Sequence, residues 1–115
     1  HHGRDPKRIE QLLKIERAIM GCFGEFLNTM KNKQEAGGTL LDNTLTLLGS
    51  NLGNASSHDP RNNPILLAGG GLNHGRYLAY DAKNNTPLCN LFVHLLNQMN
   101  INTEKFASST SELTL

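Results

Sequence analysis

Leu40-Leu41-Asp42-Asn43-Thr44-Leu45-Thr46-Leu47-Leu48 runs into a polar stretch, 49–63, and Pro64-Ile65-Leu66-Leu67-Ala68 comes after it. Both apolar runs are short, mix Leu with Thr or Ile, and are bounded by Gly, Asn or Pro. That pattern predicts two largely buried strands, over 40–48 and 64–68. Leu40-Leu41 also reads as a turn of helix leading into the first of them. The fifteen residues between have no hydrophobic period. A loop of that length needs a purpose in a compact domain.

Upstream, Asp5-Pro6 is a cap followed by proline at the first helical position, where its missing N–H loses no bond. Ile9, Leu12, Leu13, Ile19, Met20, Phe23, Phe26, Leu27 and Met30 then recur every three or four residues, the apolar stripe of one long helix. Lys31 and Lys33 suit the negative end of its dipole, and Gly37-Gly38 stops it. Downstream, Gly69-Gly70-Gly71 marks a tight backbone turn, and 76–80 alternates weakly, as a short edge strand does. Thr86-Pro87 repeats the cap-plus-proline signal ahead of Leu88, Leu91, Phe92, Leu95, Leu96 and Met99, the apolar face of a second helix. From Asn100 the chain reads as an irregular tail.

Helices interleaved with buried strands predict an α/β sheet covered on both faces. Two or three strands do not shield such a sheet by themselves. The rest of it is expected upstream in the same domain or in a second copy of the chain. A helix that begins almost at the first residue favours the upstream source.

Composition narrows the function. With 11 basic and 10 acidic residues the net charge is +1, so nucleic acid is not an expected partner. No apolar run is long enough to span a membrane. Cys22 and Cys89 fall on apolar helix faces and read as small buried hydrophobes rather than a disulfide. There is no zinc-spaced cysteine pair, no P-loop and no nucleophile elbow. Asp42 and Asp59 are not spaced as a catalytic carboxylate pair.

Chemistry is expected in the 49–63 loop, because open α/β sheets bind ligands beyond the carboxyl ends of their strands. It offers Ser50, Asn51, Asn54, Ser56, Ser57, His58 and Asp59. His58 and Asp59 are metal-ligand types, and Ser and Asn supply hydrogen bonds or weak oxygen ligands. The competing reading is a loop whose polar side chains satisfy their own backbone. His1-His2 reads either as a tag remnant or as native histidines placed just before a helix. His74 reads as a surface turn residue and His94 as a partly buried structural one.

The ordered motifs Gly49-Ser50-Asn51-Leu52-Gly53-Asn54-Ala55-Ser56-Ser57-His58-Asp59, Asn63-Pro64-Ile65-Leu66-Leu67-Ala68-Gly69-Gly70-Gly71 and His74-Gly75 resemble a bacterial exported family of unknown function (domain of unknown function, family 1552). Leu40-Leu41-Asp42-Asn43-Thr44, Thr86-Pro87-Leu88-Cys89-Asn90-Leu91-Phe92 and Phe106-Ala107-Ser108-Ser109 also fit it, as does His2-Gly3 before a long helix. That family is similar to the alkaline phosphatase and sulfatase superfamily.

The resemblance implies that residues 1–115 are the C-terminal segment of one larger alkaline-phosphatase-like α/β domain, with a partial sheet and flanking helices. It implies an exported, periplasmic or extracellular bacterial protein and makes His1-His2 native. It also implies hydrolysis of phosphate or sulfate esters at a divalent metal ion, zinc, manganese or calcium. His2 and His58 would hold the ion, with Asn51, Asn54 or Asp59 as an auxiliary ligand or as a hydrogen-bond partner behind the ligands. The nucleophile would lie upstream. Where the superfamily places Asp-His-Gly, this chain has Asn51-Leu52-Gly53, or Asn54 slightly later. That departure favours a second reading, a non-catalytic secreted binding or scaffolding domain that keeps the fold around a degenerate metal site.

Overall fold

The structure is a computed structural model that describes residues 2–115. It is a small α/β protein with two helices and two small antiparallel sheets among the described residues. The chain divides into two compact units, His1–Gly69 and Gly70–Leu115.

The first unit opens with helix α1, Pro6–Lys31. Asp5 caps it as expected, its carboxylate accepting from the backbone N–H of Lys7 at 2.8 Å and of Arg8 at 3.4 Å. The helix ends at Lys31, several residues before Gly37-Gly38, with Asn32 as the C-cap. Next in the chain is a small hairpin that hydrophobic periodicity does not announce: β1, Gln34–Glu35, pairs antiparallel with β2, Gly38–Thr39. The two glycines serve this turn instead, both with positive φ.

The expected strand over 40–48 begins later. Residues 40–43 form a turn held by Thr39 and Asp42, whose carboxylate accepts from the Thr39 N–H at 2.8 Å and hydroxyl at 2.7 Å. Those two bonds hold the Asp42 carboxyl below its ordinary pKa. The local side-chain bonds outcompete a ladder here.

Strand β3, Leu45–Gly49, then pairs antiparallel with β4, Ile65–Gly69, in the register Leu45↔Gly69 to Gly49↔Ile65. The 50–64 loop is therefore the connection of one long hairpin. Its register depends on Gly69: φ is +79°, and a Cβ there would strike the carbonyl oxygens of Thr44 and Leu41.

Full burial of this sheet is not observed. Leu47 and Leu66, on opposite faces, are 40% and 43% exposed. The stripe of α1 is open as well: Leu13, Ile15, Ile19, Met20 and Phe26 are 44–57% exposed, and only Met30 of that helix is buried. Cys22, expected inside, is exposed. It sits seven residues from Ile15, at the margin of the stripe, so even a covered stripe would leave it at the edge.

The second unit holds helix α2, Leu88–Gln98. Pro87 rather than Thr86 occupies its N-cap position, and no side chain bonds the cap. Leu91 and Val93 are its buried apolar residues. Residues 76–80 are irregular and exposed rather than an edge strand. With no ladder partner, weak alternation does not suffice for a strand. Cys89 is half-buried, and the Ser108 hydroxyl lies 3.3 Å from its sulfur.

Candidate functional site

The 50–64 connection is not loose. Asn54 and Asp59 form an isolated antiparallel bridge, Asp59 N–H to Asn54 O at 3.0 Å and Asn54 N–H to Asp59 O at 3.3 Å. Gly53 N–H donates to the same Asp59 carbonyl at 2.9 Å. The bridge closes a turn over 55–58, within which the Asn54 side-chain oxygen accepts from the N–H of Ser56 at 3.0 Å and Ser57 at 3.3 Å. This is an Asx turn, the usual means by which Asn organises its own backbone.

At the other end of the unit, residues 2–5 form a tight turn with positive φ at both Gly3 and Arg4, closed by Asp5 N–H to His2 O at 2.8 Å. The turn presents the His2 ring to the loop. His2 Nε2 lies 3.1 Å from Ser56 Oγ, a contact between residues 54 positions apart. A cleft of about 430 Å³ opens there, lined by His2, Gly3, Arg4, Asn54, Ser56 and Ser57.

The hydrogen bonds assign the His2 tautomer. The Arg4 N–H lies 3.1 Å from His2 Nδ1 and can only donate. Nδ1 is therefore an acceptor, the neutral ring carries its hydrogen on Nε2, and Nε2–H donates to the Ser56 oxygen. A general base for Ser56 would need the opposite tautomer, with Nε2 accepting the serine proton. As arranged, the pair is a structural tie.

The residues expected as ligands are distributed as follows. His2 and Asn54 meet at the cleft. Asp59 is turned to Arg61: its Oδ1 accepts from Arg61 N–H at 3.0 Å and Nε–H at 2.9 Å, and its Oδ2 from Nη2–H at 2.8 Å. These bonds and the guanidinium charge lower its pKa to about 2. His58 is exposed in the left-handed region, φ +54°, at the last turn position before Asp59, and is not among the described residues lining the cleft. Asn51 is exposed at a bend beside Ser50, whose hydroxyl donates to Leu52 O at 2.9 Å.

Ser56 and Arg61 thus carry contacts that spacing did not single out. Arg61, two residues after Asp59, was the readable signal for a turn-local ion pair. Nothing in the sequence links Ser56 to His2.

His2, Asn54 and Asp59, as bonded in this arrangement, do not fit a divalent ion. His2 has committed both nitrogens, the Asp59 carboxylate faces a guanidinium, and the Asn54 oxygen holds two backbone N–H groups. If Nε2 ligated a metal, Nδ1 would carry the hydrogen and face the Arg4 N–H, donor against donor. No group of three or more His, Cys, Asp or Glu side chains converges among the described residues. No family model matches the chain, and neither a curated protein nor a solved structure shows significant similarity to it.

Proposed function

We propose that this chain is the C-terminal segment of an exported alkaline-phosphatase-like α/β domain, and that it serves as a binding or scaffolding element around a degenerate metal rim. The observation that carries the reading is the His2 tautomer. A ring that accepts from Arg4 N–H and donates to Ser56 Oγ acts as a tie between the start of α1 and the loop, and offers no lone pair to an ion. Asn51-Leu52 in place of an anionic ligand and a histidine supports the same reading. The apolar, part-exposed faces of the β3–β4 sheet and the open stripe of α1 support a larger sheet, completed by upstream chain or by a second copy.

The reading with a metal-dependent ester hydrolase draws on one observation, the meeting of His2 with the loop that carries His58. The two separate on the full-length protein. Metal analysis and turnover of aryl phosphates and sulfates are measured for the wild type, His2→Ala and His58→Ala. The binding reading expects no metal-dependent turnover and no change in metal content. Stoichiometric zinc, manganese or calcium that both substitutions remove, together with metal-dependent hydrolysis, would overturn it.

A further inference from the structure

The second unit contains a polar ridge that the cleft does not use. Asn90, His94 and Asn97 succeed one another along α2 at spacings of four and three, so they share one face. Asn90 is buried to 2% exposure, and every polar atom of its side chain is engaged with the C-terminal tail. Its Oδ1 accepts from Thr110 N–H at 2.9 Å and Ser111 N–H at 3.5 Å, and its Nδ2 donates to Thr110 Oγ1 at 3.3 Å and Ser111 Oγ at 3.0 Å. Its backbone carbonyl accepts from Leu113 N–H at 3.0 Å.

One turn further, Glu112 is held at both oxygens, by His94 Nδ1 at 3.0 Å and by Asn97 Nδ2 at 3.0 Å. Because the carboxylate can only accept, Nδ1 carries the hydrogen. The tail has no ladder of its own. The backbone N–H groups of Thr110, Ser111 and Leu113 all end on the one residue Asn90.

We propose that residues 110–113 are a strap latched onto α2 at two points, Asn90 and the His94/Asn97 pair, which opens and closes as a unit while α2 stays folded. The ridge is selective for its occupant. It reads two hydroxyls through an amide and one carboxylate through an imidazole and an amide, so a Thr-Ser-Glu segment fits and an apolar one leaves buried Asn90 unsatisfied.

Amide hydrogen exchange on the full chain tests this, comparing wild type with Asn90→Ala and Glu112→Ala. Glu112 is exposed, so its substitution does not threaten folding, and loss of a charge-assisted contact raises exchange by about tenfold or more. The expected result is that Glu112→Ala speeds exchange at Thr110, Ser111 and Leu113 together, with the α2 amides from Phe92 to Gln98 unchanged. Asn90→Ala brings those three amides to the rate of an unstructured peptide. Retained protection of Thr110 and Ser111 in Glu112→Ala would overturn the two-point latch. Simultaneous loss of protection in α2 would show the tail to be part of one cooperative core instead.

Discussion

Gly53→Ala puts the architecture of the loop to a quantitative test. Gly53 is not in the left-handed region, so alanine suffers no backbone penalty there. The obstacle is steric. A Cβ on Gly53 would overlap the carbonyl oxygen of Arg61 and stand 2.8 Å from that of Asn62. Both obstacles are backbone atoms, so no side chain can rotate away.

Overpacking of this kind costs about 1–3 kcal/mol. The alternative is to separate 53–54 from 59–62, which sacrifices the bond from Gly53 N–H to Asp59 O and the Asn54–Asp59 pair. At about 1 kcal/mol net for each hydrogen bond, that route costs about 3 kcal/mol. The chain takes the cheaper route, so the penalty is about 1–3 kcal/mol and is confined to the loop.

Amide exchange at Asn54 and Asp59 is the assay. It should accelerate by about 5- to 150-fold, while amides in the middle of α1 keep their rates. Because Ser56 rides on this turn, the nitrogen-15 shift of His2 Nε2 should move as its acceptor withdraws. Unchanged protection at Asp59, or a loss spread evenly over the first unit, would refute the reasoning.

Three further expectations concern single positions. Gly21→Ala and Gly24→Ala, both in α1 with nothing within 4 Å of the added Cβ, should each stabilise the helix by about 1 kcal/mol, read as a rise in the melting midpoint of the helical circular dichroism signal. The Asp59 carboxyl should titrate at about 2 by carbon-13 detection. Its folded pKa lies below the unfolded value of about 3.9, so its stabilising effect is present above about pH 4 and is lost as pH falls toward about 2; Arg61→Ala should return the midpoint toward the ordinary carboxylate range. Gly69→Ala should disrupt the β3–β4 register, since the added methyl meets two backbone carbonyls at positive φ, and exchange across Leu45–Gly49 would report it.

Both helices were legible in the sequence, because capping and a 3.6-residue period are local signals. The Asp5 cap and the stripe from Ile9 to Met30 needed no distant information. The apolar cores of both strands were legible too, at Leu45–Leu48 and Ile65–Ala68, but their limits were not. At Leu40 the choice between strand and turn was made by Thr39 and Asp42, whose mutual bonds an apolar-run count does not weigh. The β1–β2 hairpin, two residues a side, is too short to carry a period. For the loop, the sequence pointed to ligand-type residues but not to the hydrogen-bond partners those residues take up. Asn54 and Asp59 are ligand types, yet Asn54 is used by Ser56 and Ser57, and Asp59 by Arg61, all within three residues. Those partners lie far closer in sequence than His2, the other histidine expected at the ion, and short closures carry the smaller entropy loss.

The same entropy argument gives the His2–Ser56 contact its weight. Short-range bonds form wherever the backbone allows, but a bond between residues 54 positions apart has to be supported by the elements on both sides. Here those supports are the Gly3-Arg4 turn and the Asp5 cap at one end, and the Asn54–Asp59 bridge at the other. Each support also fixes a direction. The turn aims the Arg4 N–H at Nδ1, which leaves the hydrogen on Nε2, and the Asx turn brings the Ser56 hydroxyl to meet it. An imidazole built to hold a cation needs an acceptor, such as a carboxylate or carbonyl, behind its far nitrogen so that the near one keeps its lone pair. In this chain a donor stands in that place. His94, backed by Glu112, has the arrangement that His2 lacks, but its carboxylate belongs to the tail, so the orienting contact lasts only while residues 110–113 stay docked.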